Sequence, residues 1–595
     1  MSISVATTLD TRDLYTPLQR WQTRILRVHP ASSPDTPVEA DLLRAGLADG
    51  PYLALSMDED LITFEAISYT WGSPHSEGYT VLCNGVNVEV GSNLVAALRR
   101  FRYIDVHRYV WADRLCINQM DTAEKNAQVA IMFNIFRKAD RVLAWLGDAG
   151  PDTSVAMQHL AHFEDSSEED LESVESVESI PRVWKDNTNV QAGLLDIFCR
   201  PWSRRVWVRQ EIYAAKRVDV FVGGDRLSFE SYYDHGMTLR DELEKKGQNN
   251  SEIDQIGLKR LLVSLKALRG LQQADDLTIV KLQRKKENCL DPEFFGAPGA
   301  TTRPQRLSDH IRRFETVLQE SRWLKASEGQ DLIYALLNMT PCPLLTAEPT
   351  AEQLGIRVDY VKSYSRVLQD VTKFIMNRDR SLDVLISYDQ PSARPNKASD
   401  CSILPSWTVD WTECAPRTRY GRDGYPDCRA LRWQNPCDEG TLSLSAITLT
   451  VVPSLSMRWD PKRKKYALNA KGHTHLRVAH SLEGPAGFAW YAESKELSCQ
   501  RFLTDQDDRH RHRWLPHSDF IAVLAEGTAF HDVLYLQPKE DGRFSFLHIG
   551  TSKEHISLFF GGEYPEDDCT LWNGYELFYE LFETNKISQK EFVII

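Results

Sequence analysis

Several things are missing from this chain of 595 residues, and each absence narrows its function. No run approaches the ~18 consecutive apolar residues of a membrane-spanning helix, so no membrane partner is expected. Met1 to Tyr15 has no cationic stretch followed by an apolar one, so no secretory signal is expected either. Cysteine is sparse: 11 residues, an odd number without a Cys-x-x-Cys pair, fit reduced thiols in a cytoplasmic protein better than a disulfide framework. There is no Gly-x-x-x-x-Gly-Lys-Ser/Thr loop, which excludes a P-loop nucleotidase, and no Gly-x-Ser-x-Gly elbow. The close histidine pairs are His473-x-His475 and His510-x-His512, both read as solvated surface, so no metal centre is expected. Basic charge is not in excess: 70 Lys and Arg against 84 Asp and Glu give −14, a poor fit to a nucleic-acid binder.

What is present is a globular composition, 42% apolar and 26% charged, in a chain too long for one core. The most informative stretch is His107 to Gly147. Arg108-Tyr109-Val110-Trp111-Ala112 reads as a buried strand that breaks at Asp113-Arg114. Asp121 followed by Glu124 predicts a capping box and a helix start. Val129, Met132, Phe133 and Phe136 then keep helical spacing as far as Lys138, and Asp140 to Gly147 is a second strand stopped by glycine. Strand, helix, strand at this length predicts a βαβ unit with parallel strands.

Upstream, residues 1–60 read as a loop-rich lead-in, with Leu18 to Val28 open between strand and short helix. Thr63 to Tyr69 is the first strand of the α/β unit, Asn84-Gly85 marks a hairpin, and Ser92 is expected to cap a helix through Phe101. Between Phe163 and Ile180 lie eight carboxylates and no basic residue, which reads as a solvated acidic insertion or, less simply, a docking tail for a basic partner. Residues 229–345 look helical, with Leu258, Leu261, Leu262, Leu265 and Leu268 on one face and a linker at Asp291 to Pro304. In residues 346–595, Asp359 to Asn377 predicts a helix on the spacing of Val361, Tyr364, Leu368, Val371 and Ile375. Beyond Pro405 short runs such as Leu442 to Leu444, Thr448 to Val452, Phe520 to Leu524 and Val533 to Leu536 predict a mixed, β-rich region.

Four blocks in order resemble the fungal HET (heterokaryon incompatibility) domain: Phe64 to Gly72, Trp111 to Gln119, Ala139 to Gly147 and Trp202 to Ile212. Asp331 to Leu337 and Leu404 to Trp411 are similar to blocks found later in many such chains, although Gln330 stands where the family usually has arginine. Phe64 to Tyr69 is similar to the first strand of TIR domains, and Trp207-Val208-Arg209-Gln210-Glu211 to their Trp-x-x-x-Glu box. The resemblance implies an α/β, TIR- or flavodoxin-like parallel sheet over residues 61–228, then the helical and β-rich regions. It implies a role in vegetative incompatibility and regulated cell death, with NAD as a substrate and no bound cofactor.

In an open parallel sheet ligands sit outside the carboxyl ends of the strands, here Tyr69 to Gly72, Asp113-Arg114 and Gly147-Asp148. Trp71 offers a stacking face, Asp113 an acceptor for sugar hydroxyls and Arg114 a fork for phosphate. Each also fits plain rim decoration or an ion pair. Trp207 and Glu211, four apart on one helix, suit a ring that shields an acid from water. They equally suit a core tryptophan beside an acid paired with Arg204, Arg205 or Arg209. Cys116 reads as a buried core thiol. Two mechanisms stay open at this level: NAD hydrolysis through Glu211, or a signalling module acting by self-association or on a protein partner. An accessory role unrelated to incompatibility is a third.

Overall fold

The computed structural model describes residues 14–47, 53–55, 61–72, 79–164, 188–246, 261–268, 314–339, 356–379, 382–386, 388–389, 404–411, 415–416, 437–438, 441–460, 462, 465–480, 488–502, 519–525, 532–551 and 590–594. The chain forms two compact units, Met1–Pro349 with Arg357–Val361, and Thr350–Ile356 with Lys362–Ile595.

The first unit is built on an 11-stranded sheet. In chain order its strands are β1 (Gln22–Val28), β2 (Glu39–Gly46), β3 (Leu53–Leu55), β4 (Leu61–Ile62), β5 (Glu65–Tyr69), β6 (Thr80–Cys83), β7 (Val86–Glu89), β8 (Arg108–Trp111), β9 (Val142–Trp145), β10 (Val218–Val222) and β11 (Asp225–Ser228). They lie in the order β11-β10-β9-β5-β8-β1-β2-β3-β4, with β6 beside β2 and β7 beside β6. The neighbours β8, β5, β9 and β10 run parallel. β9 and β10 are buried along their whole length, as expected of strands covered on both faces.

The sheet as a whole is mixed, which corrects the expectation of a parallel one. β10 turns straight into β11 through Gly223, held at φ +55°, and a hairpin that short joins only antiparallel strands. On the other side β1 pairs antiparallel with β8. Gln22–Val28, Glu39–Gly46 and Leu53–Leu55 are therefore strands of the sheet and not a lead-in to it. Leu18 to Val28, open between strand and short helix in the sequence, supplies strand β1: Thr23 and Arg24 are buried in it, and Arg24 is held by Glu124 at 2.6 and 2.9 Å and by the Thr16 carbonyl at 2.7 Å.

The main helices of this unit are α1 (Ser92–Phe101), α2 (Thr122–Lys138), α3 (Thr153–Glu164), α4 (Thr188–Cys199), α5 (Val206–Ala214) and α6 (Phe229–Lys246). α1 buries Leu94, Leu98 and Phe101 as its spacing predicts, but its N-cap is Gly91, so Ser92 does not cap it. The Asn84-Gly85 turn has φ +47° and +80°, the left-handed pair that a two-residue hairpin needs. Asp121 caps α2 by accepting the Ala123 and Glu124 amides. Glu124 does not close a capping box, because Arg24 and the Asn118 amide occupy its carboxylate. Val129, Met132, Phe133 and Phe136 face the core. β8 and β9 are parallel as predicted, yet β5 lies between them, so the α2 crossover passes over a strand that arrived earlier.

In the helical region, residues 261–268 form a helix whose Leu261, Leu265 and Leu268 are buried. The 165–180 part of the acidic run, Leu258 and the Asp291–Pro304 linker lie outside the described residues. Helix 314–321 and the turn Asp331–Tyr334 follow. The second unit contains α7 (Tyr364–Asp379), which buries Leu368, Val371 and Ile375. It starts after the predicted position: Val361 is 81% exposed, and Ser363 receives the Arg366 amide and the Val367 amide ahead of the first turn. An 8-stranded sheet follows in the order 488–502, 465–480, 441–460, 520–525, 532–538, 544–551 and 590–594, with 437–438 added beside 441–460. It takes in all four predicted β runs. Among the described residues no helix is long and apolar enough to cross a membrane.

Candidate functional site

The parallel strands change winding direction between β5 and β9: from β5 the chain moves outward to β8, then returns to β9 and goes on to β10 the other way. Such a switch point opens a crevice at the carboxyl ends of the strands. Asn93 of α1 bridges it. Its amide donates to the Thr70 carbonyl at 2.8 Å, and its oxygen accepts the Trp145 indole at 2.8 Å. Gly147 ends β9 at φ +112°, where a Cβ would stand 3.2 Å from the Arg200 guanidinium.

Glu211 comes to this point from α5. Its carboxylate accepts the Ser68 hydroxyl of β5, and the Ser68 oxygen in turn accepts the Trp202 indole at 2.7 Å. Glu211 is only 4% exposed and forms no ion pair among the described residues. Burial pushes its pKa up to about 7; the nearby Asp113 carboxylate adds to the rise, while the Arg205 charge and the Ser68 hydroxyl oppose it. Arg205 donates to the Tyr69 carbonyl, and Arg209 turns away to Glu320 at 2.9 Å and Ser321 at 2.7 Å. None of the three arginines weighed as a partner neutralises the acid directly.

Asp113 links this buried acid to the surface. One carboxylate oxygen accepts the Trp71 indole at 2.8 Å, and the other accepts the Arg114 amide at 2.7 Å. The Arg114 guanidinium lies over the Trp71 ring at 5.7 Å, and that ring is 43% exposed. Near Asp113 lies Tyr69, wholly buried, its hydroxyl pKa raised by burial and by Asp113, which lies beyond ordinary hydrogen-bond geometry. The arrangement grades from an exposed ring and cation, through a half-buried carboxylate, to a buried acid that holds its proton near neutrality.

Trp71, Asp113 and Arg114 thus contact one another at the strand ends, and the Asp113 charge reaches Glu211. Trp207 is not part of the group. Its indole lies near Asp331, whose pKa it helps to hold down, and the tryptophan coupled to Glu211 through Ser68 is Trp202. Helical spacing put Trp207 and Glu211 on one face but could not say that this face divides between two neighbours. Ser68 and Asn93 were not anticipated; a serine inside an otherwise apolar strand was the available signal for Ser68. Cys116 is buried with its thiol pushed up to about 12, which fits a core residue. His473 and His475 are exposed on strand 465–480, and His510-x-His512 lies outside the described residues. No group of three metal-ligating side chains occurs among the described residues.

Comparison with known proteins places a family boundary on this site. The family model for heterokaryon incompatibility protein (HET) matches residues 64–211, from the start of β5 to the buried acid itself. Residues 64–211 are a HET domain. A relative from Neurospora crassa, heterokaryon incompatibility protein 6, OR allele, is 24% identical over 457 residues, covering 69% of this chain. The chain spans about 60% of the length of that relative. No solved structure matches the chain. The sheet that carries the HET domain reaches beyond the matched residues on both sides, through β1 and β2 before it and β10 and β11 after it.

Proposed function

We propose that this chain is a fungal self/non-self recognition protein whose HET domain triggers regulated cell death when assembled, and that it does so by cleaving NAD at the Glu211 site. The observation that carries the chemical part is an acid with a pKa near 7, without an ion pair among the described residues, at the switch point of the parallel strands. The relative's role in heterokaryon incompatibility and the TIR-like succession of blocks support the biological part. The order β8-β5-β9-β10 is second-first-third-fourth in chain order, as in doubly wound nucleotide-binding sheets, and supports the flavodoxin-like reading.

In this reading the Trp71 face and the Arg114 guanidinium hold a base and a phosphate, and Asp113 accepts a ribose hydroxyl. The bond from ribose C1′ to the nicotinamide nitrogen breaks, and its electron pair leaves with nicotinamide. Ionised Glu211 stabilises the positive charge that develops on the ribose. Water adds to C1′ and releases a proton, giving ADP-ribose. Nicotinamide release by the purified full chain, wild type beside Glu211→Gln, tests this. Loss in the variant supports it, and equal release in both refutes it.

A second reading rests on the near-complete burial of Glu211 and its bond to Ser68. There the acid pins α5 to β5, and the domain signals by self-association or by binding a protein partner. Absence of release from either protein, dilute or assembled, selects this reading.

A further inference from the structure

Arg357–Val361 belongs to the first unit although the chain on both sides of it belongs to the second. The segment is fastened at several points. The Tyr360 amide donates to the Asn126 side chain of α2 at 2.9 Å, and the Tyr360 ring carries the Lys125 ammonium at 3.8 Å from its centre. Lys125 is itself fixed by Glu328 at 2.7 Å. Tyr334 donates to the Asp359 carbonyl at 3.0 Å and meets the Tyr360 ring edge to face at 5.5 Å. The Tyr360 hydroxyl donates to Asp331 at 2.5 Å.

Asp331 is 9% exposed, the turn Asp331–Tyr334 packs against α5, and the Trp207 indole of α5 lies near enough to the Asp331 carboxyl to lower its pKa. Trp207 stands one helical turn before Glu211 on α5, which has nine residues. A short helix with few internal hydrogen bonds takes its position from such side-chain anchors. Other anchors are Arg209, held by Glu320 and Ser321, and Glu211 itself, held by Ser68. The Tyr360 hydroxyl is a strong joint to this carboxyl, because hydrogen bonds to a charged group contribute more than neutral ones.

We infer that Tyr360 is a positioning residue: through Asp331 and Trp207 it couples the segment 357–361, and with it the chain that enters the second unit at Lys362, to the helix that carries Glu211. The inference gives the proposed site its control element and rests on that proposal only for its catalytic consequence. The second unit then needs no residue in the site to influence it. A pull or release at Lys362 reaches α5 through one tyrosine hydroxyl and one aspartate.

Hydrogen exchange on the full chain tests it, with Tyr360→Phe, which keeps the ring under Lys125, and Asp331→Asn as a second variant. Exchange in 206–214 should rise about tenfold in both, while 142–145 and 218–222 keep their wild-type rates. Adding Trp207→Phe to Tyr360→Phe should add little, since both act through one carboxylate. The pH at which the chain and its Glu211→Gln counterpart diverge in stability should fall when Tyr360→Phe is present, because a loosened α5 admits water to the acid. Faster exchange confined to 357–361, an equal rise in every strand, or an unmoved divergence pH would each overturn the coupling. Absence of NAD cleavage by the wild type would strike the proposed function and leave this result standing.

Discussion

Glutamine at position 211 keeps the shape of the side chain and an acceptor for Ser68 while removing the ionisable proton, so it isolates the effect of burying that acid. The carboxyl has an ordinary pKa of 4.5 in the unfolded chain and about 7 in the fold. Because the folded value is the higher one, the folded chain binds more protons between these limits, and stability falls as pH rises. The favourable contribution is fully present below 4.5 and is lost as pH passes about 7. The difference corresponds to about 3 kcal/mol. Asp331 is also raised by burial and contributes with the same sign, so the wild type must be read against Glu211→Gln and not alone. Glu65, Asp41 and Asp219 are held low by arginine or histidine partners, so their contributions change only at more acid pH. Urea unfolding of the first unit, followed by exchange protection of β5 and β9, should show similar stability for the two proteins at pH 5 and an advantage of about 3 kcal/mol for Glu211→Gln at pH 8. Parallel curves from pH 5 to 8 would show that the acid is not perturbed and would remove the basis for its chemistry.

Cutting the chain after residue 230 removes Glu320 and Ser321 and strands the Arg209 guanidinium, which is 1% exposed. The fragment should lose about 3–5 kcal/mol and unfold on expression, whereas a cut after Val361 should stay folded, as read by circular dichroism. Glu124→Gln should cost about 3–5 kcal/mol by leaving buried Arg24 unpaired, while replacing both with apolar residues should cost far less in urea melts. Gly147→Ala should lower the thermal midpoint by several degrees, about 1–3 kcal/mol, because φ is +112° there and Arg200 must move. Trp71→Ala should change stability by less than about 0.5 kcal/mol yet weaken NAD binding in calorimetry, since its ring is a largely exposed face.

The parts legible in the sequence were those governed by local spacing. The α2 face, the Asn84-Gly85 hairpin and the parallel strands ending at Tyr69, Asp113 and Gly147 all follow from periodicity and turn chemistry. So does the meeting of Trp71, Asp113 and Arg114, because strand ends in one parallel sheet share an edge. What escaped depends on pairing between distant residues. Leu18 to Val28 stayed open between strand and short helix, and it is a core strand because Glu124, 100 residues later, neutralises its buried Arg24. Helical spacing places Trp207 beside Glu211, yet its indole lies near Asp331, more than a hundred residues on. A mixed sheet could not be separated from a parallel one without knowing where β1 docks.

The rate of nicotinamide release from NAD by the full chain between pH 5 and 9 tests the central claim most directly. The account predicts a rate that rises through a single ionisation near pH 7, the value assigned to Glu211, and that is lost at every pH in Glu211→Gln. Release that is independent of pH and survives the substitution would contradict it.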